Sequence, residues 1–124
     1  MDNQLQKKEP KRVPKDTAIQ ETENWRSILK PVMGDKVIRG FFIPIEDITA
    51  IANMHQVSGM RGYICLTDKN DFSSISFIVV PVDENNKDIL TEKNGVSEEE
   101  ISTIYDFTRP CPAFCDESSP LYSG

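Results

Sequence analysis

The chain has 124 residues, enough for one domain that buries its own core without support from a metal or disulfides. Its formal charge of −6 argues against a generally basic nucleic-acid-binding surface. No stretch reaches the ~18–20 apolar residues of a membrane span, and the N-terminus has no apolar core of the signal-peptide kind. Three cysteines, an odd number, do not read as a secreted disulfide framework, so a reducing cytoplasm is the expected compartment.

Residues 1–16 hold two prolines and a basic excess without periodicity, and are expected to form a disordered basic leader. Thr17-Ala18-Ile19-Gln20 matches a capping box and predicts a helix start. Trp25, Ile28, Leu29 and Val32 then recur at helical spacing as a core-facing stripe, and Pro31 is expected to end the helix near Ser27–Lys30. Lys36–Ile43 predicts a strand covered on both faces, with Gly40 as a bulge or a point of close approach. Pro44 stops that run. Ile45, Ile48, Ile51 and Ala52 give a short helix to about Met54, followed by a strand over Met60–Leu66. The intervening length suits either a right-handed parallel crossover or an antiparallel pairing elsewhere.

Ser74–Val82 is the clearest strand. It turns apolar on both faces at Ile78-Val79-Val80, and at Pro81 it is expected to lie at a sheet edge or to leave the sheet. A turn over Asp83–Asp88 precedes a short edge strand at Ile89-Leu90. Ser97 and Glu100 fit a second capping box, with Val96 and Ile101 as its hydrophobic staple, predicting a helix through Ile104 and Tyr105 that Pro110 terminates.

The expected fold is therefore α+β. It is a single two-layer domain over residues 17–105, about three helices packed on a three- to four-stranded mixed sheet, with an extended C-terminal tail over 106–124. Pro110, Pro112 and Pro120 disfavour helix in that tail, while Phe107, Phe114 and Tyr122, with Tyr105 just before it, give it aromatic weight. Phe107 and Phe114 are candidate anchors for a protein partner, and Arg109 between them is a candidate mate for an acidic group.

Cys111 and Cys115 admit three readings: packed thiols, a metal site or a redox pair. Structural zinc commonly takes four ligands, and the remaining donors, Cys65, His55 and Asp116, lie far off in sequence or supply only oxygen. The Cys-x3-Cys spacing also departs from the Cys-x2-Cys of thioredoxin-like redox motifs. His55 falls just after a predicted helix, where an imidazolium complements the helix dipole. Asp68-Lys69-Asn70-Asp71 lacks the glycine and bidentate glutamate of a calcium loop and reads as a turn. No nucleophile elbow and no phosphate-binding glycine loop is present, so no catalytic set is specified.

The segments RGFFIPIEDI, IVVPVDENNKDIL and YDFTRPCPAFC together resemble a group of small uncharacterised proteins of Bacteroidota that end in a YDFTxPCPxxC-like segment. The resemblance spans most of residues 37–121 and omits the leader. It implies a bacterial origin and carries over no catalytic residue. The function expected is that of a non-enzymatic cytoplasmic binding or accessory protein without a cofactor. The alternative is a zinc-binding or thiol-redox protein using Cys111 and Cys115.

Overall fold

A computed structural model describes residues 9–93, 95, 99–106 and 109–123. Along the chain run α1 (Lys15–Met33), β1 (Gly40–Phe42), α2 (Ile45–Ala52), β2 (Val57–Leu66), β3 (Ile75–Asp83), β4 (Thr91–Lys93), β5 (Glu100–Ser102), β6 (Arg109–Cys111) and α3 (Pro120–Ser123). The class is α+β with three α-helices, but the strands form three separate two-stranded antiparallel ladders rather than one sheet: β1–β6, β2–β3 and β4–β5. The parallel crossover does not occur, because β2 pairs antiparallel with β3 and β1 takes its partner from the far end of the chain. Two compact units result: residues 9–42 with 109–124, and residues 43–108.

In the first unit, α1 starts two residues before Thr17, so Lys15 and Asp16 of the leader are helical. Pro14 precedes it with extended φ/ψ, and its carbonyl accepts the Ala18 N–H at 3.0 Å. No side chain caps this end. The Thr22 hydroxyl instead bonds back to the carbonyls of Ala18 and Ile19. Pro31 lies inside the helix, which continues to Met33. So near the C-terminus proline removes only one intrahelical donor, and Gly34 (φ 59°) then ends the helix, its N–H reaching the Lys30 carbonyl. The expected core stripe is largely uncovered, with Ile28 74% and Val32 82% exposed. Trp25 is half-exposed, and its indole N–H donates to the Ile38 carbonyl at 2.7 Å, tying the approach to β1 onto α1.

The strand expected over Lys36–Ile43 shrinks to β1, since a 3-10 turn occupies Gly34–Lys36 and Val37 is buried ahead of the ladder. Gly40 makes no close approach, as a Cβ there would meet no atom within 4 Å. β6 pairs with β1 in the register Gly40–Cys111, Phe41–Pro110 and Phe42–Arg109. The tail is thus extended only in part: a turn follows β6, and Pro120 opens α3 behind Ser119, whose hydroxyl accepts the Leu121 N–H.

In the second unit, α2 packs on the β2–β3 hairpin. β3 is its centre: Val79, Val80, Pro81 and Val82 are consecutively buried, as a strand covered on both faces requires. Ile51 of α2 is buried with them, as are Asp47 and Thr103. Beyond the ladder with β2, the other edge of β3 is met residue by residue. Val79 exchanges both backbone bonds with Tyr105 at 3.0 Å, and the Pro81 carbonyl accepts the Ile89 N–H at 2.8 Å.

Those bonds explain why 100–105 is not the helix its sequence suggests. β-branched Ile101, Thr103 and Ile104 favour extended backbone, and the open edge of β3 supplies partners that a helix would leave unmet. Residues 100–102 form β5 instead, against β4 rather than the edge strand expected at Ile89-Leu90. The proposed cap and staple residues Val96 and Ser97 lie outside the described residues.

Gly62 of β2 lies beneath the Phe77 ring of β3, where a Cβ would overlap the ring. Gly62→Ala should therefore cost roughly 1–3 kcal/mol through overpacking. A urea denaturation midpoint equal to that of the parent chain would show that Phe77 yields without cost.

Candidate functional site

The first unit gathers Phe114, Tyr122 and the Cys111/Cys115 pair of the tail at one place. Because side chains alternate along a strand, Gly40 and Phe42 share a face of the β1–β6 ladder with their cross-strand neighbours Cys111 and Arg109. After β6 the chain turns back, with the Phe114 N–H on the Pro110 carbonyl at 3.0 Å and the Cys115 N–H on the Ala113 carbonyl at 3.1 Å. Cys111 and Cys115 close this loop as a disulfide, their Cα atoms 4.9 Å apart. Reduced, packed thiols are thus not what the structure contains. The peptide bonds flanking Pro112 are both cis.

The turn sets Phe114 edge-on to Phe42, with ring centroids 5.2 Å apart and planes at 71°, a favoured aromatic arrangement. The Arg109 guanidinium lies 5.2 Å from the centroid of the same ring. Both phenylalanines remain 49% exposed. Together with Leu121, Tyr122 and the disulfide they line a concavity of about 370 Å³ whose charged members are Arg39 and Asp116.

Arg39 fixes the far wall. Its guanidinium lies 4.6 Å over the Tyr122 ring, its Nε donates to the Tyr122 carbonyl at 3.1 Å, and its backbone N–H donates to the Cys111 carbonyl at 2.6 Å. Asp116 organises the approach to α3: its carboxylate accepts the Ser118 N–H at 3.1 Å and the Ser118 hydroxyl at 2.6 Å.

Of the residues singled out from sequence, Arg109, Phe114, Cys111 and Cys115 come together here, whereas Phe107 lies outside the described residues. Phe42, Arg39 and Tyr122 were not foreseen as a site. In sequence Phe42 reads as part of a strand covered on both faces, and only its pairing with Arg109 reveals its exposed position. His55 sits in the turn after α2, and Cys65 is a free, half-buried thiol on β2. Among the described residues, no group of three or more His, Cys, Asp or Glu side chains is placed to hold a metal ion. Asp68 and Asp71 accept backbone N–H groups two residues ahead, as turn residues do.

A second polar cluster lies on the hairpin of the other unit. Arg61 bonds to both Asp88 and Asn86, and the Tyr63 hydroxyl donates to the remaining Asp88 oxygen. Asn86 holds the turn with a left-handed φ of 66°, a conformation asparagine tolerates. The Tyr63 hydrogen bond, then Arg61, hold the Asp88 carboxyl below its ordinary range. Donation to Asp88 raises the Tyr63 phenol, and the same carboxylate raises Arg61. The cluster ties β2 to the 83–88 turn in solvent, which is a structural role.

No protein-family model, curated protein or solved structure matches the chain. No helix among the described residues is long and apolar enough to cross a membrane.

The signs of these shifts set a pH profile. Asp88 is depressed, so its contribution is present above its ordinary value of 3.8 and is lost as pH falls through the lower folded value. Tyr63 is raised, so its contribution is present below 10.0 and is lost as pH climbs through the higher folded value. Asp88→Asn should lower the urea midpoint at neutral pH and flatten its decline as pH falls below 3.8. An acid limb as steep as that of the parent chain would assign the decline to other carboxylates.

Proposed function

We propose that this is a non-enzymatic binding or accessory protein that docks a protein partner on the aromatic concavity of its C-terminal segment. The observation that carries this reading is the Phe42–Phe114 pair, held edge to face yet half-exposed. Covering the exposed half of each ring is worth about 2–3 kcal/mol by area, and aromatic and arginine side chains dominate interface energetics. Arg109, stacked on Phe114, adds an ordered cation at the rim. We place the protein in a bacterial cytoplasm, in keeping with its likeness to the Bacteroidota group. Its acidic balance makes nucleic acid an unsuitable partner.

The test uses point variants rather than removal of residues 109–124, because β6 is the partner of β1. Phe42→Ala with Phe114→Ala should change stability by less than about 1.5 kcal/mol, because both rings are half in solvent. The same pair should abolish recovery of the partner seen with parent chain in cross-linking mass spectrometry. Recovery unchanged by the double variant, or a loss of several kcal/mol of stability, would turn the pair into a structural feature only.

A second reading, thiol-redox chemistry at Cys111 and Cys115, is favoured by their disulfide. In a reducing compartment such bonds are transient and usually catalytic or redox-sensing. The prediction is that alkylation mass spectrometry across glutathione buffers shows a reversible transition of the Cys111/Cys115 pair near the cytoplasmic poise of about −220 to −320 mV. A pair still oxidised well below that range belongs to a structural disulfide. Zinc stays with this reading as the reduced-state alternative, for which the sign is one equivalent of metal lost in Cys111→Ser with Cys115→Ser.

A further inference from the structure

Arg39 and Tyr122 also border a second, more enclosed pocket of about 240 Å³ in the same unit. Three cationic side chains line it: Arg26 and Lys30 from α1, and Arg39. Arg26 and Lys30 are four residues apart on one helix face, where like charges repel. The arrangement places a third positive charge beside them. Among the described residues no carboxylate lines the pocket, and none of the three cations has an acidic partner within ion-pair distance.

The two guanidiniums are aimed. Arg26 Nη1 donates to the Leu121 carbonyl at 2.6 Å and Arg39 Nε to the Tyr122 carbonyl at 3.1 Å. Each bond uses one of five guanidinium donors and leaves the charge uncompensated. The Tyr122 ring beneath Arg39 fixes it further. Gly34 brings no side chain into the space.

We infer that the Arg26–Lys30–Arg39 pocket binds the phosphoryl group of a small molecule. Fixed guanidinium forks match the oxygens of a tetrahedral oxyanion, and Lys30 supplies a mobile point charge. A phosphoryl group is close to a dianion at neutral pH, so it offsets more of three positive charges than a carboxylate does. The volume accommodates that group with a compact organic body. This inference stands apart from the docking reading, which uses the neighbouring aromatic face.

The test is thermal unfolding and calorimetry of the full chain with inorganic phosphate as the probe, against chloride and acetate at equal ionic strength. Phosphate should raise the melting temperature saturably and more than acetate does. Lys30→Glu and Lys30→Gln leave the arginine–carbonyl bonds intact. They should weaken phosphate roughly ten- to a hundred-fold, the value of one charged hydrogen bond. Their ligand-free melting temperatures should be no lower than the parent's, since the Arg26–Lys30 repulsion is relieved. Equal binding of acetate, no saturable effect, or an effect undiminished in both Lys30 variants would overturn the inference.

Discussion

The first unit depends on one short ladder between residues far apart in sequence. β1 and β6 contribute three residue pairs, yet the chain between them runs from residue 43 to residue 108. Closing a loop of that length costs about 4 kcal/mol in the logarithmic term alone. A backbone hydrogen bond returns only about 0.5–1.5 kcal/mol net, so the ladder by itself barely offsets its own closure. The surrounding contacts make up the difference. The Arg39 N–H adds a bond to Cys111, and the guanidiniums of Arg26 and Arg39 hold the carbonyls of Leu121 and Tyr122. α3 packs on α1. The aromatic concavity and the basic pocket are both products of this closure, since each draws side chains from the two separated segments.

β3 has the corresponding part in the second unit. Among the described residues it is the one strand buried over several consecutive positions, and it is hydrogen-bonded along both edges. Pro81 has no N–H to offer, yet Met60 of β2 lies opposite it and its carbonyl receives the Ile89 N–H on the other edge, so the proline removes one donor without opening the strand. The rest of the unit arranges itself around the needs of this strand: Tyr105 comes to its open edge, and Thr103 bonds to the carbonyls of Ile89 and Leu90.

Local patterns were readable where local forces decide. The α2 helix, the β3 strand and the Asp68–Asp71 and Asp83–Asp88 turns follow directly from apolar spacing and short polar side chains. The errors fall where a distant partner outweighs local preference. Ser97 and Glu100 spell a helix start, but the edge of β3 captures the residues that follow. Pro31 spells a helix stop, but a proline one turn from the end removes little. The candidate site was half legible: Arg109, Phe114 and the cysteine pair stand close together in the tail. Phe42, Arg39 and Arg26 lie 67 or more positions before the tail residues they meet, and nothing in their own surroundings announces the pairing.

The interleaving of the two units imposes an order on biosynthesis. Residues 43–108 form a continuous stretch and can fold as they emerge, whereas α1 and β1 must wait for a partner made only after that stretch. At ~5–20 residues per second that wait is roughly 3–13 s. Throughout it the nascent chain carries Trp25, Ile28 and Phe42 uncovered beside an unpaired strand edge, the surface to which holding chaperones bind. Cys111 and Cys115 also appear only after residues 43–108, so whatever oxidises them acts on a chain in which that stretch has already emerged.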